Sequence, residues 1–134
     1  MKIYLAGPIE ICTEEEIFLW RTYVQSKVPD TIETIVPKYH LGSQSEIFED
    51  TKLNVENCDI VFAHLPKSIN ERRPSYGTIF EISYGYALGK KVIIISDDEF
   101  VHKHPVMNHL ANMYYSLDAA LSSISPPSTS GAGV

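Results

Sequence analysis

The stretch that decides the fold is residues 74–92, PSYGTIFEISYGYALGKKV. Small residues open a segment in which apolar side chains recur at helical spacing, and Gly89 closes it. A β-branched run, residues 92–95, follows at once. The pattern predicts a loop, a short helix and a buried strand in succession, which is one unit of an alternating α/β fold.

Glu81 lies about one turn inside this predicted helix. The buried stripe of the helix is predicted from four residues at helical spacing: Phe80, Tyr84, Ala87 and Leu88. Glu81 falls just off that stripe and near the positive end of the helix dipole, so we expect a partly shielded carboxylate that stays ionised. Such a group suits a nucleophile or a general base, and the alternative is an ordinary glutamate on the helix surface.

Outward from this stretch, apolar and β-branched runs alternate with amphipathic segments. Strands are predicted at residues 2–6, 31–36, 59–65, 92–96 and 112–115, and helices at 13–27, 46–57, 107–110 and 116–124. Thr13 and Glu16 form a capping box, and the 46–57 helix is expected to bury Ile47, Thr51 and Val55. This order predicts an α/β, doubly wound, flavodoxin-like parallel five-stranded sheet in order 2-1-3-4-5 with helices on both faces.

Length and composition limit the classes of function. The 134 residues predict one folded domain, residues 1–124, and a disordered tail, residues 125–134, that is rich in Pro, Ser and Gly. No apolar run approaches the roughly 20 residues of a membrane span, and we expect a cytoplasmic protein with Cys12 and Cys58 reduced. The net charge of -6 argues against binding to a nucleic acid polymer, whereas a small nucleotide needs only one or two local cations.

In the predicted fold the carboxyl ends of the first three strands meet at one cleft. The segments expected there are Gly7-Pro8-Ile9, Tyr39-His40, residues 72–77 and Glu81. The chain lacks a Rossmann glycine fingerprint and a Walker lysine, and its five histidines show no metal-ligand spacing with carboxylates. These absences argue against dinucleotide or triphosphate handling and against a metal site, and we interpret His102 and His104 as solvated loop residues.

Several of these segments together resemble the nucleoside 2-deoxyribosyltransferase family, which includes the related nucleoside 5'-monophosphate N-glycosidases. The resemblance covers most of residues 1 to about 121 and depends on four motifs: Ile3-Tyr4-Leu5-Ala6-Gly7-Pro8, Cys58-Asp59-Ile60-Val61, Gly77-Thr78-Ile79-Phe80-Glu81-Ile82 and Tyr86-Ala87-Leu88-Gly89-Lys90-Lys91-Val92. It implies that Glu81 attacks the anomeric carbon of a sugar and that the Tyr4 hydroxyl orients it. It also implies that Gly77 lets the backbone approach the sugar. The enzyme is then expected to be a homo-oligomer with shared sites that uses no metal and no organic cofactor.

Two positions depart from the pattern of the family transferases. Where those enzymes carry an aspartate for the 5'-hydroxyl, this chain has Ser75, as the nucleotide-specific relatives do; the preceding Arg72 and Arg73 and the helix N-terminus would complete a phosphate site. Glu10 argues against this, because the glycosidase-like relatives have a basic residue there. The family's base-contacting aspartate falls on Thr51, so Asp50 could replace it only through a shift in helix register.

The resemblance thus implies an enzyme that cleaves the N-glycosidic bond of a nucleoside or a nucleoside 5'-monophosphate through a glycosyl-Glu81 intermediate. Transfer of the sugar to another base and hydrolysis by water both remain open, as does a non-catalytic nucleotide-binding or signalling module on the same fold. The expected catalytic residues are Glu81, Tyr4 and Asp50. The expected substrate-binding residues are Gly7, Pro8, Ile9, His40, Ser75, Gly77 and Asn108, the last supplied by a neighbouring subunit.

Overall fold

The computed structural model describes residues 1–39 and 42–124. The predicted tail, residues 125–134, and His40 lie outside the described residues. The strands are β1 (Lys2–Ala6), β2 (Glu33–Ile35), β3 (Ile60–His64), β4 (Lys91–Ile95) and β5 (Asn112–Tyr114). The helices are α1 (Glu14–Lys27), α2 (Gln44–Asn57), α3 (Lys67–Asn70), α4 (Tyr76–Ala87), α5 (Glu99–Lys103), α6 (Pro105–Leu110) and α7 (Leu117–Ile124).

The strands form a five-stranded sheet in the order β2-β1-β3-β4-β5, and every pairing is parallel. This confirms the predicted doubly wound α/β fold with strand order 2-1-3-4-5. No helix in the described part of the chain is long and apolar enough to cross a membrane.

Alternate residues of each central strand face opposite layers of helices. Ile3 and Leu5 of β1 pack in a cluster with residues of α1 and α7, whereas Tyr4 and Ala6 pack in a second cluster with residues of α2 and α4. Both faces are therefore apolar, as expected for parallel strands covered on both sides. The alternation also directs Tyr4 toward α4.

The predicted buried stripe of α4 is wrong. Its buried residues are Thr78, Glu81, Ile82 and Gly85, while Ala87 and Leu88 are exposed. The small Gly85 faces the sheet, where an added Cβ would lie only 2.6 Å from Cγ2 of Val61. The aromatic side instead packs against α2, with the rings of Phe80 and Phe48 5.8 Å apart. The buried face of α4 is therefore the one that carries Gly85, which allows close contact with the sheet, and not the one that carries the large aromatic side chains.

Three smaller expectations are also corrected. Helix α2 buries Val55 alone of its predicted apolar stripe, because Ile47 and Thr51 face the cavity described below. His102 is not a solvated loop residue: it lies in α5, its Nε2 is 2.7 Å from the Ser96 carbonyl oxygen, and its ring stacks on Tyr115. His104 caps α6 by accepting a hydrogen bond from the amide of Val106.

Candidate active site

A cavity of about 450 Å³ opens at the carboxyl edge of the sheet. Most of the predicted site residues line it: Tyr4 from β1, Gly7, Pro8 and Ile9 from the loop after β1, Asp50 from α2, and Ser75, Gly77 and Glu81 from the start of α4. The structure therefore brings together eight side chains or backbone segments that are up to 77 residues apart in sequence. Asn108 does not line the cavity, and its Nδ2 donates to the carbonyl oxygen of His102.

Glu81 and Tyr4 form a buried pair in this cavity. The Tyr4 hydroxyl donates a hydrogen bond to Oε2 of Glu81. Tyr4 is 1% exposed and Glu81 is 6% exposed, so the glutamate is more deeply buried than the sequence pattern predicts. A carboxylate at this depth has lost most of its hydration and depends on the protein to stabilise its charge.

The electrostatics of the pair follow from this burial. Burial raises the pKa of Glu81 to about 7, against the opposing effects of the Tyr4 hydrogen bond and the Arg21 charge, while Asp50 raises it further. Burial and the adjacent Glu81 raise the pKa of Tyr4 far above its ordinary value, so its hydroxyl keeps its proton. A pKa of about 7 differs from the expectation of a carboxylate that stays ionised, because burial outweighs the Tyr4 hydrogen bond and the Arg21 charge, and both protonation states are then populated near neutral pH.

The first turn of α4 forms one wall of the cavity. Ser75 is the N-cap residue, and its Oγ accepts from the Thr78 amide at 3.3 Å and lies 2.7 Å from the Thr78 hydroxyl. An added Cβ at Gly77 would meet no atom within 4 Å. The glycine thus leaves open space beside a helix N-terminus, whose amides and dipole favour anions.

Both arginines of the predicted phosphate site are already paired with glutamates, one in the loop after β1 and one in the first turn of α1. Arg73, which lines the cavity, lies with Nη2 3.0 Å from Oε1 of Glu10. Arg72 lies with Nη2 2.8 Å from Oε2 of Glu16. Together the two ion pairs connect the start of α1 and the loop before it to the segment that leads into α4.

Asp50 and Thr51 both line the cavity from α2. Oδ2 of Asp50 accepts from the Lys38 amide and from Nδ2 of Asn54, each at 3.2 Å. Tyr39 lines the same side and meets Phe18 edge to face, with the ring centroids 4.8 Å apart. This side of the cavity therefore offers a carboxylate and an aromatic ring to a bound molecule.

Sequence reasoning missed Arg21, which is 2% exposed and lies on the buried side of α1. The sequence contains a signal for this burial, because an arginine interrupts the apolar helical stripe of Ile17, Trp20 and Val24. In the described part of the chain, no group of three or more His, Cys, Asp or Glu side chains is arranged to hold a metal ion.

Comparisons with known proteins agree with this fold. The structure is similar to a 2-deoxyribosyltransferase from Leishmania mexicana (TM-score 0.74, 19% identity, covering 91% of this chain and 95% of that one). It is also similar to the 2-deoxyribosyltransferase from Bacillus psychrosaccharolyticus (0.67, 17%, 98% and 95%) and to a CMP N-glycosidase from Clostridium botulinum (0.59, 18%, 92% and 98%). Among curated proteins, no sequence matches significantly.

The sequence itself provides the assignment to a family. The model of the family described as nucleoside 2-deoxyribosyltransferase matches residues 3–112, from the second residue of β1 to the first residue of β5. This range contains the buried Glu81–Tyr4 pair and every described segment of the cavity wall. The chain therefore belongs to the nucleoside 2-deoxyribosyltransferase family.

Proposed function

We propose that the chain cleaves the N-glycosidic bond of a (2'-deoxy)nucleoside or its 5'-monophosphate through a covalent intermediate on Glu81. The observation that carries this proposal is the buried Glu81 carboxyl group, which borders a cavity of about 450 Å³ and accepts a hydrogen bond from Tyr4. A cavity of this volume suits a small organic ligand. Membership of the family supports the class of reaction.

In the proposed first step, an oxygen of ionised Glu81 attacks C1' of the sugar. The new C–O bond forms as the bond from C1' to the base breaks, and the electron pair leaves with the base, which then takes up a proton. Positive charge develops on the sugar in an oxocarbenium-like transition state, and the carboxylate stabilises it. In the second step, a nitrogen of another base or a water oxygen attacks C1', loses a proton and frees Glu81, which gives transfer or hydrolysis respectively.

Tyr4 is proposed to orient the nucleophile. Its hydroxyl stays protonated because its pKa is strongly raised by burial and by Glu81, so it acts as a donor and not as a base. The hydrogen bond engages Oε2 and fixes the rotation of the carboxylate, which leaves the other oxygen for attack. Fixed orientation lowers the entropy cost of reaching the transition state.

Asp50 is proposed to contact the leaving base or its departing nitrogen. The Lys38 and Asn54 hydrogen bonds hold one of its oxygens, and Oδ1 lies 4.0 Å from Nζ of Lys38. A carboxylate held in this way can accept from an exocyclic amine of the base. It delivers a proton only if it first becomes protonated, so water remains the alternative source.

Two features of the cavity bear on the choice between a nucleoside and its 5'-monophosphate. Ser75 at the N-terminus of α4 and the guanidinium of Arg73 favour a phosphate, since both can donate hydrogen bonds to it. Glu10 disfavours the binding of a phosphate, because its carboxylate already forms an ion pair with Arg73. Hydrolysis of a nucleoside 5'-monophosphate, with release of free base and sugar 5-phosphate, is therefore the second candidate function.

We also propose that the chain acts as a homo-oligomer with shared sites. Phe48 and Leu53 of α2 each expose half of their surface, so part of the apolar surface of this helix is open to a second copy of the chain. Asn108, implied as a contribution from a neighbouring copy, lies outside the cavity of a single chain. Light scattering of the purified chain tests this, and a monomer at working concentration would contradict it.

The central test is base release measured by chromatography. The chain is incubated with a panel of deoxynucleosides and ribonucleosides and their 5'-monophosphates, with and without a second base as acceptor. We expect release of free base from at least one member and loss of more than about 1000-fold in kcat for Glu81→Ala, because the nucleophile is removed. A new nucleoside that forms only with the acceptor indicates transfer, and free sugar or sugar phosphate indicates hydrolysis.

A control variant separates chemistry from folding. Glu15→Ala removes an exposed carboxylate from the first turn of α1 and is expected to keep the parent rate. No base release from any panel member by the folded parent chain would contradict the enzyme proposal. Nucleotide binding by calorimetry under those conditions would instead support the non-catalytic module.

A further inference from the structure

Arg21 is a buried cation that lies in α1, close to the candidate site. It is 2% exposed, and its side-chain hydrogen bonds to other described residues go to main-chain carbonyl oxygens. Nε donates to Leu5 at 3.1 Å, Nη1 to Ile17 at 2.7 Å and Nη2 to Gly7 at 3.2 Å. Within the described residues no carboxylate lies within ion-pair distance of this guanidinium.

Two of these carbonyl groups, those of Leu5 and Gly7, place Arg21 at the carboxyl end of β1, whereas Ile17 belongs to α1 itself. Leu5 follows Tyr4 directly, and Gly7 begins the loop that lines the cavity. A Cβ at Gly7 would lie 2.8 Å from Trp20 and 3.3 Å from Nη2 of Arg21, so the loop is packed tightly on this side chain. The guanidinium in turn lies over the Trp20 ring, 4.6 Å from its centroid. Arg21 therefore fixes the carboxyl end of β1, the strand that carries Tyr4.

Burial of an arginine without a carboxylate partner is costly, and its charge must be stabilised by whatever lies nearby. Groups on three elements influence the pKa of Glu81: Tyr4 on β1, which donates a hydrogen bond to it, Asp50 on α2 and Arg21 on α1. Arg21 is the cation of this set: its Nη2 donates to the carbonyl oxygen of Gly7, which borders the same cavity as Glu81, so its charge acts on Glu81 across the poorly solvated interior. The charge of Arg21 lowers the pKa of Glu81, whereas burial and the negative charge of Asp50 raise it.

We propose that Arg21 is a positioning residue of this site, which fixes the carboxyl end of β1 beside Tyr4 and supplies a positive charge that favours the ionised form of Glu81. The inference rests on the proposed function of Glu81 as the nucleophile. Arg21 does not line the cavity, so it acts through Glu81 and Tyr4 and not on the substrate. Its two contributions, charge and hydrogen bonds, can be separated by substitution.

The test compares Arg21→Met, Arg21→Lys and a control, Lys27→Met, which removes one positive charge from the exposed end of the same helix. The acid limb of the kcat/KM profile reports the ionisation of Glu81 in the free enzyme. For Arg21→Met we expect this limb to move to higher pH by about one unit or more. For Arg21→Lys we expect a limb close to that of the parent but a lower kcat, since an ammonium group cannot satisfy three carbonyls in the same geometry.

A second measurement does not depend on turnover. The carboxyl ¹³C signal of Glu81, assigned by its loss in Glu81→Gln, is titrated in chains labelled at glutamate. Its midpoint should rise in Arg21→Met and stay at the parent value in Lys27→Met. This readout separates the two proposals, because an inactive parent chain overturns the proposed function while the Arg21 inference is still decided by the titration.

The inference is overturned if folded Arg21→Met keeps both the parent acid limb and the parent titration midpoint. If Arg21→Met does not fold by circular dichroism, Arg21→Lys decides alone. Two results for Arg21→Lys would contradict the proposed division between charge and hydrogen bonding. One is an acid limb shifted as far as expected for Arg21→Met, and the other is a kcat equal to that of the parent.

Discussion

Glu10 is the residue whose side chain most directly disfavours the binding of a 5'-phosphate. Its Oε1 forms an ion pair with Nη2 of Arg73 at 3.0 Å, and Arg73 lines the cavity near Ser75. We expect Glu10→Gln to lower KM for a nucleoside 5'-monophosphate by about two- to five-fold, since an exposed ion pair of up to about 1 kcal/mol no longer competes with the phosphate. KM for the matching unphosphorylated nucleoside should stay unchanged.

Glu14→Gln is the matched control for this change, because it removes an exposed acidic side chain a few residues away, in the first turn of α1. It should leave the ratio of the two KM values at the parent level. Equal effects of Glu10→Gln on both substrates would show that Arg73 does not meet a phosphate. The substrate would then be the nucleoside, and Ser75 would act only as the helix cap.

At the scale of elements, the contact between α4 and β3 sets the depth of Glu81. Gly85 lies one turn after Glu81, and a Cβ there would lie 2.6 Å from Cγ2 of Val61. We expect Gly85→Ala to lower the free energy of unfolding by about 1–3 kcal/mol through overpacking. It should also lower kcat, because the helix must move away from the sheet and take Glu81 with it.

Gly77→Ala in the same helix is the matched comparison. Its Cβ enters open space at the cavity wall, so the free energy of unfolding should change by no more than about 1 kcal/mol. Its effect should appear in KM instead, because the methyl group occupies room beside the proposed sugar site. Denaturant unfolding and steady-state kinetics on both variants check the pair. A fall in stability for Gly77→Ala alone would contradict the assigned packing.

For the whole molecule, the sequence predicts the fold well because strand type and order depend on local pattern and general topological rules. The β-branched and apolar runs at β1, β3 and β4 are unambiguous, and parallel crossovers restrict their order. Side-chain contacts across elements are a different matter. The inward face of α4 depends on Gly85 meeting Val61, and the pairing of Arg73 with Glu10 depends on loop geometry. Neither contact has a sequence signature.

The same limit applies to the candidate site. The Glu81 and Tyr4 positions follow from motif resemblance, and their hydrogen bond joins residues 77 apart in the chain. The depth of Glu81 could not be predicted, because the apolar spacing of α4 indicates the aromatic face that packs on α2. This depth matters for the whole molecule, since it couples the ionisation of one carboxyl group to the folding equilibrium.

That coupling has a definite sign. Burial raises the pKa of Glu81 from an ordinary 4.5 to about 7 in the folded chain. Between these values the folded chain retains a proton that the unfolded chain has released, so the free energy of unfolding falls as pH rises through this window. Glu81→Gln cannot ionise and escapes this loss. We expect the variant to be about as stable as the parent at pH 5 and more stable at pH 8, by up to about 3 kcal/mol.

Urea unfolding of the parent and Glu81→Gln at pH 5 and pH 8 measures this difference. The exposed Glu15→Gln serves as control, and its difference from the parent should be small at both values. Activity should follow the opposite course, because the nucleophile needs the ionised form: kcat/KM should fall as pH drops below about 7. A stability gain that is the same at both pH values would mean that Glu81 does not titrate in this window, and the acid limb of activity would then have to come from another group.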